Sequence, residues 1–139
     1  MMPIFEQVLD KYPNSVKIVF KHLPLSIHEQ ALPAALASMA AAEQGKFWEY
    51  HDELFFNQAS LGSEKYLEIA QKLGLDLKKF SLDMMRPSLR KKIEQDVAEA
   101  KKAGVTGTPT IFVNGMKLKN RDFAAISKLI DAALADGQK

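Results

Sequence analysis

The sequence predicts an α/β fold, and three observations predict it. A β-rich run, Val16-Lys17-Ile18-Val19-Phe20-Lys21, stands near the start of the chain. A second β signal lies far downstream in Ile111-Phe112-Val113-Asn114-Gly115-Met116-Lys117-Leu118, where Asn-Gly between apolar runs marks a two-residue hairpin, because both turn residues must take positive φ. Between them, residues 27–103 carry helical periodicity almost without a break. At 139 residues and 47% hydrophobic, the chain has the size and apolar content of one domain, taken as residues 1–139 with residues 27–103 as a helical insertion.

The first element is a helix over residues 1–12, with Phe5, Val8, Leu9 and Tyr12 on one stripe and Pro13-Asn14 as its stop. It starts on apolar residues with no capping side chain. Residues 16–21 follow as a strand, with Val16, Ile18 and Phe20 on one face, and Pro24 ends any ladder. His22, at the strand end, is read as a structural histidine.

Ser26 and Glu29 form a Ser-x-x-Glu capping box for a helix from Ile27 through the alanine-rich residues 31–42. Pro33 should kink that helix or delay its start. Residues 46–57 form the next helix, with Phe47, Trp48, His51, Leu54 and Phe55 as its apolar face. Glu49, His51, Asp52 and Glu53 invite a metal reading, but no second histidine stands at helical spacing, and aromatic core packing is the better account. No metal and no cofactor is expected.

Ser63 should cap a helix over residues 64–73, with Tyr66, Leu67, Ile69, Ala70 and Leu73 inward, and Asp76 a shorter one ending at Met84. Met84 and Met85 read as core filler. Residues 89–103 form a longer helix closed by Gly104, its stripe Leu89, Ile93, Val97 and Ala100. Its lysines and arginine are diluted by Glu94, Asp96 and Glu99, so the face reads as solvated rather than phosphate-binding. In the hairpin, Val113 faces Met116, Phe112 faces Lys117 and Ile111 faces Leu118, which makes Ile111, Val113, Met116 and Leu118 the buried face. A last helix starts at Asn120 or Asp122 and carries Phe123, Ile126, Leu129, Ile130 and Ala133 inward, ending near Asp136-Gly137.

Composition narrows the function classes. A formal net charge of +2, from 19 basic and 17 acidic residues, gives no basic excess for nucleic acid or an anionic membrane. No apolar run approaches the roughly 20 residues that span a bilayer, and no export signal is written at the start. With no cysteine, the chain offers no disulfide, thiolate metal site or thiol nucleophile of its own. The most specific stretch is Gly104-Val105-Thr106-Gly107-Thr108-Pro109-Thr110, a loop that leads into the hairpin. On local chemistry its Thr108-Pro109 bond reads as trans, since only about one X-Pro bond in twenty is cis.

These stretches together resemble the DsbA-like branch of the thioredoxin fold, bacterial thiol-disulfide oxidoreductases. The carriers are Val16 to Leu25, Ala31-Leu32-Pro33-Ala34-Ala35, Gly45-Lys46-Phe47-Trp48-Glu49-Tyr50-His51-Asp52 and the loop from Gly104 to Thr110. The resemblance implies a cis Thr108-Pro109 bond and makes Gly107, Thr108 and Pro109 the candidate residues that bind an extended peptide or protein substrate. It also implies a periplasmic or otherwise extracytoplasmic setting. The family's central strand and its Cys-x-x-Cys would lie ahead of Met1, so the fold expected is thioredoxin-like with a helical insertion and an N-terminal truncation.

An internal methionine taken as the start, a deliberately shortened chain and a relative that lost the motif all account for the missing piece; the first two fit the uncapped first helix. As written, the chain is expected to be inactive in disulfide exchange. The alternatives are a non-catalytic peptide-binding or chaperone-like module and, against the strand signal, an all-helical scaffold. Without its central strand the domain should either pair residues 16–21 with the hairpin directly or associate as a homo-oligomer through exposed sheet edges.

Overall fold

The structure is a computed structural model that describes residues 2–25 and 27–137, with residues 2 and 137 described in backbone alone. The chain divides into two units, one made of Met1–Phe20 with Val105–Lys139 and the other of Lys21–Gly104.

The first unit holds helix α1 (Met2–Lys11), the hairpin strands β1 (Phe112–Val113) and β2 (Met116–Lys117), and the last helix, which we number α7 (Phe123–Gly137) after the five helices of the second unit. One apolar seam joins them. Val8 and Tyr12, four residues apart, bury the same side of α1 against Ile126 and Ile130, spaced alike on α7. Val16, Val113, Leu118 and Phe123 close around these four. The Tyr12 hydroxyl donates to Asp131 Oδ1 at 2.6 Å, so the ring is buried without stranding its polar end. Leu9, expected on this stripe, is 42% exposed, because the seam is narrower than the apolar face of α1.

The hairpin has the expected register, Phe112 opposite Lys117 and Val113 opposite Met116, and Leu118 N–H donates to the Ile111 carbonyl at 2.9 Å. Asn114 at φ 47° and Gly115 at φ 83° supply the two left-handed residues of the turn. The hairpin reaches the core through only part of its expected face. Val113 and Leu118 pack there, whereas Met116, at the tip, is exposed, contrary to the expected buried face.

The largest departure is at residues 16–21, where no strand forms and, among the described residues, β1 and β2 make the only sheet. A β-rich sequence becomes a strand only when another strand answers its ladder, and nothing described here does so. Direct pairing of this stretch with the hairpin is therefore absent. Val19, its most apolar outlier, is 61% exposed.

The second unit is built on α2 (Ala31–Ala42), against which α3 (Phe47–Phe56), α4 (Ser63–Lys72), α5 (Leu77–Met84) and α6 (Pro87–Lys102) pack. Ala37, Ala40 and Ala41 are fully buried on α2, and their small side chains let Tyr50, Tyr66 and Phe80 close over the helix. Helix α2 begins at Ala31 rather than Ile27. Pro33 then sits in the first turn, where its missing N–H has no intrahelical partner to lose. Ser26, the expected cap, lies outside the described residues.

Asp76 caps α5 by accepting from Lys79 N–H at 3.0 Å. Just outside it, the Gln44 side-chain amide bridges backbone to backbone: its Nε2 donates to the Asp76 carbonyl at 3.1 Å and its Oε1 accepts from Asp76 N–H at 2.8 Å. Gly74 and Gly104 end α4 and α6 at φ 73° and 76°, the left-handed region that favours glycine.

Several faces differ from their sequence reading. The packed side of α3 is rotated toward Tyr50, which leaves Phe55 at 61% exposure and Trp48 at the surface. Leu67 is exposed beside the buried Tyr66, and Met85 is exposed while Met84 packs on the core.

Candidate functional site

The loop that leaves Gly104 is held in shape by two hydrogen bonds, both within the first unit. The Thr110 hydroxyl donates back to the Gly107 carbonyl at 2.6 Å, and Arg121 Nη1 donates to the Pro109 carbonyl at 3.1 Å. The first closes the turn on itself; the second ties it to the segment between the hairpin and α7. Between these two anchors lie Thr108 and Pro109, both exposed, joined by a cis peptide bond.

Gly107 is half-buried beside them. Among the described residues, neither the N–H nor the C=O of Thr108 has a hydrogen-bond partner. An exposed backbone that is anchored on both sides yet unpaired can bond the main chain of an extended peptide, as an open sheet edge does.

The titratable groups elsewhere have structural explanations. In the second unit the backbone N–H of His22 donates to Asp96 Oδ2 at 3.0 Å, and its ring meets Phe47 edge-on at 6.1 Å. Burial holds the His22 imidazole below the ordinary histidine range, while the Asp96 carboxylate opposes that shift. Asp96 itself, expected on a solvated face, is 2% exposed. Its Oδ1 accepts no hydrogen bond and is flanked by the Lys92 and Lys21 ammonium groups at 3.6 and 3.8 Å.

His51 lies among Phe47, Trp48 and Phe55, with Asp52 Oδ1 at 3.2 Å from its Nδ1. Among the described residues no three histidines, aspartates or glutamates converge on a metal-sized site. Sequence reasoning passed over Arg121, and no periodicity could have flagged it: it stands in a loop, and only the folded hairpin brings it to Pro109.

Comparison with known proteins agrees with this architecture. A sequence model described as thioredoxin matches residues 2–132. A thioredoxin-like oxidoreductase from Silicibacter pomeroyi superposes with a TM-score of 0.78 at 27% identity, covering 96% of this chain and 77% of that one. The oxidoreductase DsbA from Xylella fastidiosa shares the fold, with a TM-score of 0.72 at 21% identity over 97% of this chain and 78% of its own.

Two curated relatives bear another name. The Na(+)/H(+) antiporter NhaA 3 of Salinispora tropica is 43% identical over 116 residues, 83% of this chain and 18% of that protein. The antiporter NhaA of Herminiimonas arsenicoxydans is 35% identical over 123 residues, 88% of this chain and 20% of that protein. The chain thus spans about a fifth of the length of these relatives, and among the described residues no helix is long and apolar enough to cross a membrane. A matching stretch that runs nearly from end to end, a shared fold and a proline loop in front of the hairpin lead to one assignment: the chain belongs to the thioredoxin family, and it carries no cysteine.

Proposed function

We propose that this chain is the substrate-holding domain of a DsbA-like thiol-disulfide oxidoreductase, which seats an extended peptide or protein segment on Gly107, Thr108 and Pro109 and cannot itself exchange disulfides. The observation that carries the reading is the exposed, unpaired Thr108 backbone between two anchored carbonyls. A peptide alongside it would accept from Thr108 N–H and donate to Thr108 C=O. Two such bonds contribute about 0.5–1.5 kcal/mol each, so holding by the backbone alone is weak and readily reversed.

Exchange needs a thiolate to attack a disulfide and a second thiol to resolve the mixed disulfide, and no side chain among these 139 residues can take either part. Titrating the isotopically labelled chain with an unstructured peptide should move the Thr108 amide signal, while an insulin-reduction assay should show no turnover. An unmoved Thr108 signal at saturating peptide, or turnover by the chain alone, rules the reading out.

The absence of cysteine also favours a second reading, a non-catalytic peptide-binding or chaperone-like module. Suppression of the aggregation of a reduced client protein separates the two, since only the second requires it. The DsbA likeness supports a periplasmic or otherwise extracytoplasmic setting. The transport named in the antiporter relatives is not proposed for a domain that matches about a fifth of them. Copies of the chain are proposed to associate through the free edge of β1 and the exposed residues around Val19.

A further inference from the structure

We propose that the peptide platform selects acidic peptides, and that Arg121 is the residue that reads the carboxylate. The inference rests on the reading that Thr108 pairs with an extended peptide. From Phe112 to Asp122 the chain places three cations, Lys117, Lys119 and Arg121, against one carboxylate, Asp122. That carboxylate is already engaged, accepting from Ala125 N–H at 2.7 Å at the start of α7. All three cations are exposed, and none has an ion-pair partner among the described residues.

Arg121 differs from a solvated surface arginine in being fixed. Its Nη1 is bonded to the Pro109 carbonyl, the residue next to Thr108, and its remaining N–H groups are left for a ligand. An extended strand advances about 3.3 Å per residue, so a peptide paired with Thr108 brings a side chain within two residues of its paired position up to the guanidinium. A carboxylate there meets a planar, pre-oriented donor of two parallel bonds. Lys117, opposite Phe112 in the hairpin, adds a second charge beside an exposed ring, and Lys119 a third.

The test uses three terminally blocked, fluorescein-labelled heptapeptides of alternating threonine and valine that differ only in carrying glutamate, glutamine or lysine at two inner positions. Anisotropy measures affinity and the Thr108 amide signal locates binding. The glutamate peptide should bind about fivefold more tightly than the glutamine one, with the lysine peptide weakest, since two or three exposed ion pairs act together. That preference should fall as salt rises from about 0.05 to about 0.5 M.

Arg121→Gln should abolish most of the preference. Because this change also frees the Pro109 carbonyl, Lys117→Gln/Lys119→Gln is measured beside it, and there the preference should drop about twofold with the Thr108 signal still responding. Equal binding of the three peptides with a moving Thr108 signal overturns the acidic selection and leaves the platform standing. A glutamate preference unchanged in both variants overturns it as well. A Thr108 signal that none of the peptides moves removes the platform, and the selection with it.

Discussion

Replacing Tyr50 by phenylalanine changes a single hydroxyl at the centre of the helical unit. That hydroxyl donates to the Tyr66 carbonyl at 2.9 Å, and the ring is fully buried against Phe80 at a centroid distance of 5.6 Å. Near neutrality Tyr50→Phe therefore loses one buried hydrogen bond and little packing, about 1 kcal/mol. Alkaline pH reverses the comparison. Burial pushes the Tyr50 pKa well above the ordinary tyrosine value, with the neighbouring Tyr66 adding to the shift.

The folded state keeps its phenol proton where the unfolded state, titrating near pH 10, releases it. The stabilisation is complete below about pH 10 and is lost above it, at about 1.4 kcal/mol per pH unit. A phenylalanine has no proton to release. The two stability curves should therefore cross within roughly one pH unit above pH 10, beyond which the variant is the more stable protein. Urea unfolding followed by far-UV circular dichroism, in steps from about pH 8 to about pH 11, measures both curves. Tyr66, whose pKa burial also raises, is common to both proteins and cancels in the difference. Curves that stay parallel to about pH 11 would refute both the burial of the phenol and its alkaline cost.

The acid side turns on His22, which burial keeps neutral in the fold, with His51 and Lys92 also opposing its protonation and Asp96 favouring it. The unfolded chain takes up that proton first, so stability is full above about pH 6.5 and falls as the pH drops through it. Thermal melts between about pH 7.5 and about pH 5 should show this limb, and His22→Asn should flatten it. Asp76→Ala removes the side-chain acceptor for Lys79 N–H and should lower stability by about 1 kcal/mol, read as a shifted urea midpoint. Phe80→Ala empties a fully buried site and should cost about 3–5 kcal/mol, a fall of about 10–15 °C in the melting temperature.

What the sequence made legible was local. Asn114-Gly115 fixed both the turn and the register because the φ requirement lies in those two residues, and Asp76 announced α5 because a cap acts within one turn. The helices were readable to within a few residues wherever a single proline did not intervene, as Pro33 did for α2. What stayed hidden depended on partners distant in the chain. Residues 16–21 have the composition of a strand, but a ladder belongs to two segments at once. Asp96 looked like one acid among the charges of α6, and its burial follows from His22, 74 residues earlier, using it as an acceptor. Tyr50 was masked by the aromatics around it, since a stretch containing Phe47, Trp48, Phe55 and Phe56 offers several apolar faces and the alanines of α2 choose among them. At the candidate site, Gly107, Thr108 and Pro109 could be named in advance, whereas Arg121 required the folded hairpin.

The bridge from Gln44 to Asp76 does the work of a ladder rung with a side chain, offering the backbone the same donor and acceptor that a neighbouring peptide unit would offer. A carboxylate at position 44 would present two acceptors to one carbonyl and one N–H, and an ammonium two donors to the same pair. Only a primary amide of this reach speaks both halves of the code. The end of α2 and the beginning of α5, already packed together through Phe80 and the α2 alanines, are thus matched by hydrogen-bond polarity as well, and a mutation that conserves the length of Gln44 while changing its polarity would lose at least one of the two bonds.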